Sequence, residues 1–135
     1  MSGDNLEPSD HDYAELLRFR DALREFLHWS EQQARAAGLT AAQHQLLLAI
    51  RGHPGDPTIG DVAAHLMSRH HSAVELVDRA ERAGLLHRSN DADDQRIVRL
   101  TLSSLGEERL AALSAAHLDE LRRLQSGLRL RLLAP

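Results

Sequence analysis

One short polar run holds most of the chemistry this sequence offers. Ser68, Arg69, His70, His71 and Ser72 place hydroxyl, guanidinium and imidazole groups at consecutive positions. Apolar residues follow at Ala73, Leu76, Val77 and Ala80, so the run reads as the start of a helix that Ser68 can cap. The N–H groups at such a start lack partners within the helix and lie at the positive end of its dipole, which suits a phosphate. Hydroxyls donate to phosphate oxygens, and Arg69 or the histidines can reach guanine acceptors. The alternative is a solvated helix start with an ordinary cap. Further along, Glu75 can accept from cytosine N4. Pairing with Arg79 one turn on, as a surface ion pair, is the simpler use. Arg96 sits in a charged turn. It can enter a narrow minor groove, or it can pair with Asp94 or Asp93 and only shape the turn. Arg88 is expected to pair with an acid of that same turn.

Other chemistries find less support. Nine histidines invite a metal, but His70 and His71 are helix neighbours that point about 100° apart. His28, His44, His53 and His117 are scattered, and no H-E-x-x-H is present. No metal and no cofactor is therefore expected. His117 interrupts an apolar stripe, as a hydrogen-bonded interface histidine would. His28 and Trp29, with His44, could line a small-molecule pocket or be plain core and surface residues. Gly52, Gly55 and Gly60 lack the Lys-Ser/Thr of a phosphate-binding loop, and no nucleophile elbow accompanies the serines. The chain is not read as an enzyme.

The elements that position these residues follow from periodicity. A helix is expected over 10–37, with Tyr13, Leu16, Leu17, Leu23, Phe26 and Leu27 in steps of three and four. It would be roughly 40 Å long, more than a small domain can cover, so a second subunit is its natural partner. Thr40 and Gln43 form a capping box for a second helix to about residue 51. Thr58 caps a third, with Asp61 in its first turn. The fourth runs over about 69–83, and Gly84 ends it. The period then changes: 85–88 and 97–102 read as strands around the polar turn 90–94. Ser103 or Ser104 caps a last helix, with Ser104 and Glu107 as a capping box. Its stripe is Leu110, Leu113, His117, Leu121, Leu124 and Leu128, and it ends near Leu133.

The 135 residues suffice for one domain. Aromatics are only 3 %, so the core must be built from Leu, Ala, Val and Ile. Cysteine is absent, which excludes disulfides and thiolate metal sites and fits a cytoplasmic protein. No apolar run is long enough for a membrane span. All sixteen basic residues are Arg, yet the net charge is −4, unlike most nucleic-acid binders.

Two short helices joined by a tight turn and followed by a hairpin make a winged helix-turn-helix. The fold class is mainly α with a small β-hairpin wing. Within it, 58–66 (TIGDVAAHL), 77–88 (VDRAERAGLLHR) and 94–106 (DQRIVRLTLSSLG) resemble the MarR family. The family pattern is V-D-R-L-E-x-x-G-L-V-x-R, then a wing D-x-R-x-x-x-L-x-L-T-x-x-G. Ala80, Ser103 and Glu75 depart from it.

The resemblance implies a homodimeric, sequence-specific regulator of transcription that binds double-stranded, pseudo-palindromic DNA. Members are repressors or activators and a repressor is expected here, many relatives releasing DNA when a small aromatic or phenolic acid binds between the dimer helices and the DNA-binding lobe. On this reading 10–37 and 103–133 are dimerisation helices and 40–102 the lobe. Ser68, Arg69, His70, His71, Ser72, Glu75, Arg79 and Arg96 then face DNA, and His28, Trp29 and His44 the effector. A protein-interaction module with little DNA affinity and a metal-responsive regulator are the alternatives.

Overall fold

The computed structural model describes residues 7–127. The order is α1 (Asp10–Ala36), α2 (Ala41–Gly52), α3 (Ile59–Leu66), α4 (His70–Arg82), β1 (Leu86–Asn90), β2 (Val98–Leu102) and α5 (Ser104–Gly127). The expected elements are all present. The strands begin one residue later than expected, and β1 extends two residues further, to Asn90. Leu128 and Leu133, expected to continue the last helix, lie outside the described residues. No helix among those described is long and apolar enough to cross a membrane.

Helix starts obey local chemistry. Ser9, Thr40 and Thr58 each form a reciprocal capping box, with Asp12, Gln43 and Asp61. Two expectations fail. Ser68 does not cap α4, because its N–H still closes α3 on Ala63 O at 3.0 Å. Arg69 takes the N-cap position instead, and its side chain makes no cap bond. Nor does Ser104 form a box with Glu107. Ser103 caps α5, its Oγ accepting from Gly106 N at 3.0 Å and donating to Gly84 O at 2.6 Å.

Helix ends share one device. Leu39 N bonds Ala34 O, Leu85 N bonds Ala80 O and Ser68 N bonds Ala63 O, each across a residue of positive φ. Gly38 and Gly84 hold that place after α1 and α4. After α3 it falls to Met67, at φ 52° and 93 % exposed.

The core surrounds α2, which packs against α1, α3, α4, α5 and β2. Leu46 and Leu47 are fully buried, together with Val62, Val77, Ala80, Leu85 and Leu100. The hairpin is antiparallel with Leu86 opposite Leu102 and Arg88 opposite Leu100. Leu100 N also donates to Pro57 O at 2.9 Å, which joins the hairpin to the segment before α3.

The start of α5 lies directly on the Leu85 backbone. A Cβ on Gly106 would stand 2.1 Å from Leu85 O, an impossible contact. Gly106→Ala is expected to cost about 1–3 kcal/mol by overpacking, read as a lowered urea midpoint; an unchanged midpoint would show that this approach is not tight.

Candidate nucleic-acid interface

α3, the turn at Met67 and α4 form a helix-turn-helix whose second helix offers its N-terminal half to solvent. Ala73, Val77 and Ala80 bury one face of α4, while Arg69, His70, His71, Ser72, Glu75 and Arg79 lie exposed on the other. Ser68 is half-buried at the edge, in a shallow groove with Ser72, Leu76 and Arg79. Unlike the first three helices, α4 has no side-chain acceptor at its first-turn amides. Glu75 and Arg79 make the expected surface pair at 3.8 Å.

The wing is shaped by its own charges. Asp91 Oδ2 accepts from the backbone of Asp93 and Asp94, both at 3.0 Å, and Oδ1 accepts from Arg99 Nε at 3.0 Å. Arg99 also donates to Asp56 O at 3.2 Å. Asp94 takes both Nε and Nη2 of Arg96 at 3.1 Å, yet the Arg96 side chain remains 90 % exposed. The Arg99 guanidinium holds the Asp91 carboxyl below its ordinary value, helped by the Asp94 and Asp93 amides. Arg96 does the same for Asp94.

Arg88 corrects an expectation. It pairs not with a wing acid but with Asp78 and, at 3.6 Å, Glu81, both on α4. Alternation along β1 explains this, since Arg88 lies on the same side as buried Leu86 and faces the helix.

A second cluster lies where α1, α2 and α5 meet. The His117 ring is 4.8 Å from both Trp29 and His44 and 5.8 Å from Phe26, centroid to centroid. Leu113 O can only accept, so His117 Nδ1 carries the proton in their 2.7 Å bond. In the neutral ring, Nε2 then accepts from the Ser30 hydroxyl at 2.6 Å. Of the three proposed pocket residues, Trp29 and His44 meet here and His28 faces solvent. Phe26 was legible only as a core residue. His117 betrays itself as the one polar residue in an apolar stripe.

The MarR family model matches residues 37–97. Over that stretch, less than half of the chain, the protein is similar to the MarR family. A solved MarR family transcription regulator superposes with TM-score 0.76 at 24 % identity, over 87 % of this chain and 78 % of the other. MepR, a transcription regulator of the Staphylococcus aureus multidrug efflux pump MepA, gives TM-score 0.73 at 25 % identity, over 86 % and 84 %. A MepR variant bound to an oligodeoxyribonucleotide gives 0.69 at 24 %, over 89 % and 84 %. No curated protein matches the chain.

The winged-helix lobe is tied to pH at its joint with the long helices. Burial first, and the neighbouring His117 second, lower the basicity of His44. The unfolded chain therefore binds a proton that the folded chain resists. Stability should fall as pH drops through the ordinary histidine value of about 6.5. A lower urea midpoint at pH 5 than at pH 7, with the difference reduced in His44→Gln, is expected; an equal difference in that variant would clear His44. Asp91 and Asp94 act lower on the scale. The stability they lend is present above the ordinary carboxylate value of about 3.9 and is lost as pH falls through their depressed folded values.

Proposed function

We propose that this chain is a homodimeric, sequence-specific DNA-binding transcription regulator, acting as a repressor that a small aromatic or phenolic acid releases. The observation that carries the reading is the uncapped, solvent-facing start of α4, followed in the chain by a wing that holds an exposed arginine. Ser68, Arg69, His70, His71 and Ser72 would contact phosphates and guanine edges, and Arg96 would enter the minor groove. Arg79 flanks them, and Glu75 tunes base preference. The oligodeoxyribonucleotide bound by a MepR variant supports DNA as partner.

The division of labour follows the exposed apolar surface. Tyr13 (59 % exposed), Leu16, Leu17, Leu23 and Leu27 on α1, with Leu118 and Leu121 on α5, are too many to leave in water. Phe19, Ala22, Leu23, Phe26, Leu121 and Leu124 line a groove between the two helices, ready for helices of a second copy. So 10–37 and 103–133 would dimerise and 40–102 would read DNA. The effector would enter at Trp29 and His44, near His28, where the two parts join. No catalytic step is proposed.

Gel-shift titration against DNA upstream of the chain's own gene tests the core of this. Affinity should fall steeply with salt, and Arg96→Ala should cost about 1–3 kcal/mol of binding. A folded dimer that leaves that DNA unshifted at low salt would make the chain a protein-interaction module instead. Leu17→Glu combined with Leu23→Glu should yield a monomer in sedimentation and weaken DNA binding together with it. A double variant still dimeric would place the interface elsewhere.

A further inference from the structure

Two histidines that stand 12 positions apart in the sequence meet at the corner between α2 and α3. His53 is the C-cap of α2 and His65 lies in the last turn of α3. Their nitrogens, His53 Nδ1 and His65 Nε2, are 3.0 Å apart, with the rings inclined at 80°. On the far side of the His53 ring, Nε2 is 3.6 Å from Asp61 Oδ2. That carboxylate is fixed, since the same oxygen accepts from Thr58 N at 3.0 Å within the capping box of α3. The Thr58 amide holds the Asp61 carboxyl below its ordinary value, so it stays charged.

A carboxylate on the remote nitrogen is how proteins orient a metal-binding histidine. At 3.6 Å the Asp61 charge is too far for a hydrogen bond, but its field favours the ring proton on Nε2 and leaves the Nδ1 lone pair free for a metal. Here that lone pair faces a second imidazole nitrogen. His65 is exposed and His53 half-buried, and both open onto a groove shared with Gln45, Leu48 and Ala49.

We propose that His53 and His65 form a binding site for a divalent transition cation of the imidazole-preferring kind, such as zinc, nickel or copper(II), with Asp61 as the positioning carboxylate. Two nitrogens, each about 2.0–2.1 Å from a metal, stand about 2.9 Å apart at a right angle and about 3.3 Å apart at the tetrahedral angle. The observed 3.0 Å meets the first and needs only a small opening for the second. Both rings must also tilt toward a common point. Among the described residues no group of three or more His, Cys, Asp or Glu converges. Water therefore completes the shell, and the site is open and exchangeable, unlike a structural zinc centre. The cation takes the place of the proton between the rings, which moves to His65 Nδ1, so each imidazole binds as its neutral ring.

Its place gives it leverage. The corner it would clamp continues into Asp56 and Pro57, which the wing holds through Arg99 and Leu100 N. The α3 helix that carries His65 packs on α4. The proposal does not depend on DNA binding, and its test does not use DNA.

Untagged full-length protein is titrated with zinc by calorimetry and with copper(II) followed by electron paramagnetic resonance. One saturable equivalent per chain is expected, with hyperfine splitting from two imidazole nitrogens. His53→Ala and His65→Ala should each remove that equivalent, Asp61→Asn should weaken it about 10–100-fold, and His87→Ala should leave it intact. Circular dichroism checks each fold; if His53→Ala fails to fold, exposed His65 decides alone. Absence of saturable uptake by the parent protein, or uptake unchanged in His65→Ala, overturns the proposal.

Discussion

The close approach of α5 to the Leu85 backbone governs how the parts of this molecule sit together. Ser103 N donates to Leu85 O at 3.0 Å, and Ser103 Oγ donates to Gly84 O. Gly106 is the residue that lets the helix come so near. Three elements therefore end or begin within one small volume: α4, the hairpin and the long C-terminal helix. A rotation of α5 cannot leave the end of α4 unmoved. Core packing around Leu46 and Leu47 stabilises the lobe, but this junction makes the lobe and the long helix one mechanical body.

Charge is handled locally in the same region. Arg96 and Arg99 are matched to Asp94 and Asp91 of the hairpin turn, and Arg88 to Asp78 on α4. This is why a net charge of −4 is compatible with an arginine-bearing wing. The pairs are not equal. Arg88 and Arg99 are about one-third exposed and fix the hairpin against α4 and the segment before α3. Arg96 lies in solvent, where an ion pair is worth about 0–1 kcal/mol. A phosphate can therefore take Arg96 from Asp94 at small cost, while the other two hold the shape.

What the sequence revealed was whatever a few neighbouring residues decide. The capping box at Thr40, the cap at Thr58 and the glycine end of α4 depend on contacts within about five residues, and the hairpin on two strands joined by one short polar turn. Ser68 misled because a left-handed Met67 keeps it inside the end of α3. Ser104 misled because Ser103 is anchored by a carbonyl 19 positions earlier, a bond no local pattern announces. The solvent-facing side of α4 was legible because the burial of Ala73, Val77 and Ala80 leaves only one side open. The His53–His65 pair and the ring cluster around His117 were not, since each is assembled by the packing of separate helices.

The ring cluster has one more consequence. Trp29 is the only tryptophan of the chain, and it rests against an imidazole at the meeting of three helices. The indole is thus a built-in optical gauge of that meeting point. Any shift that parts the long helices from the lobe separates the two rings and changes the light the protein emits, with no label attached.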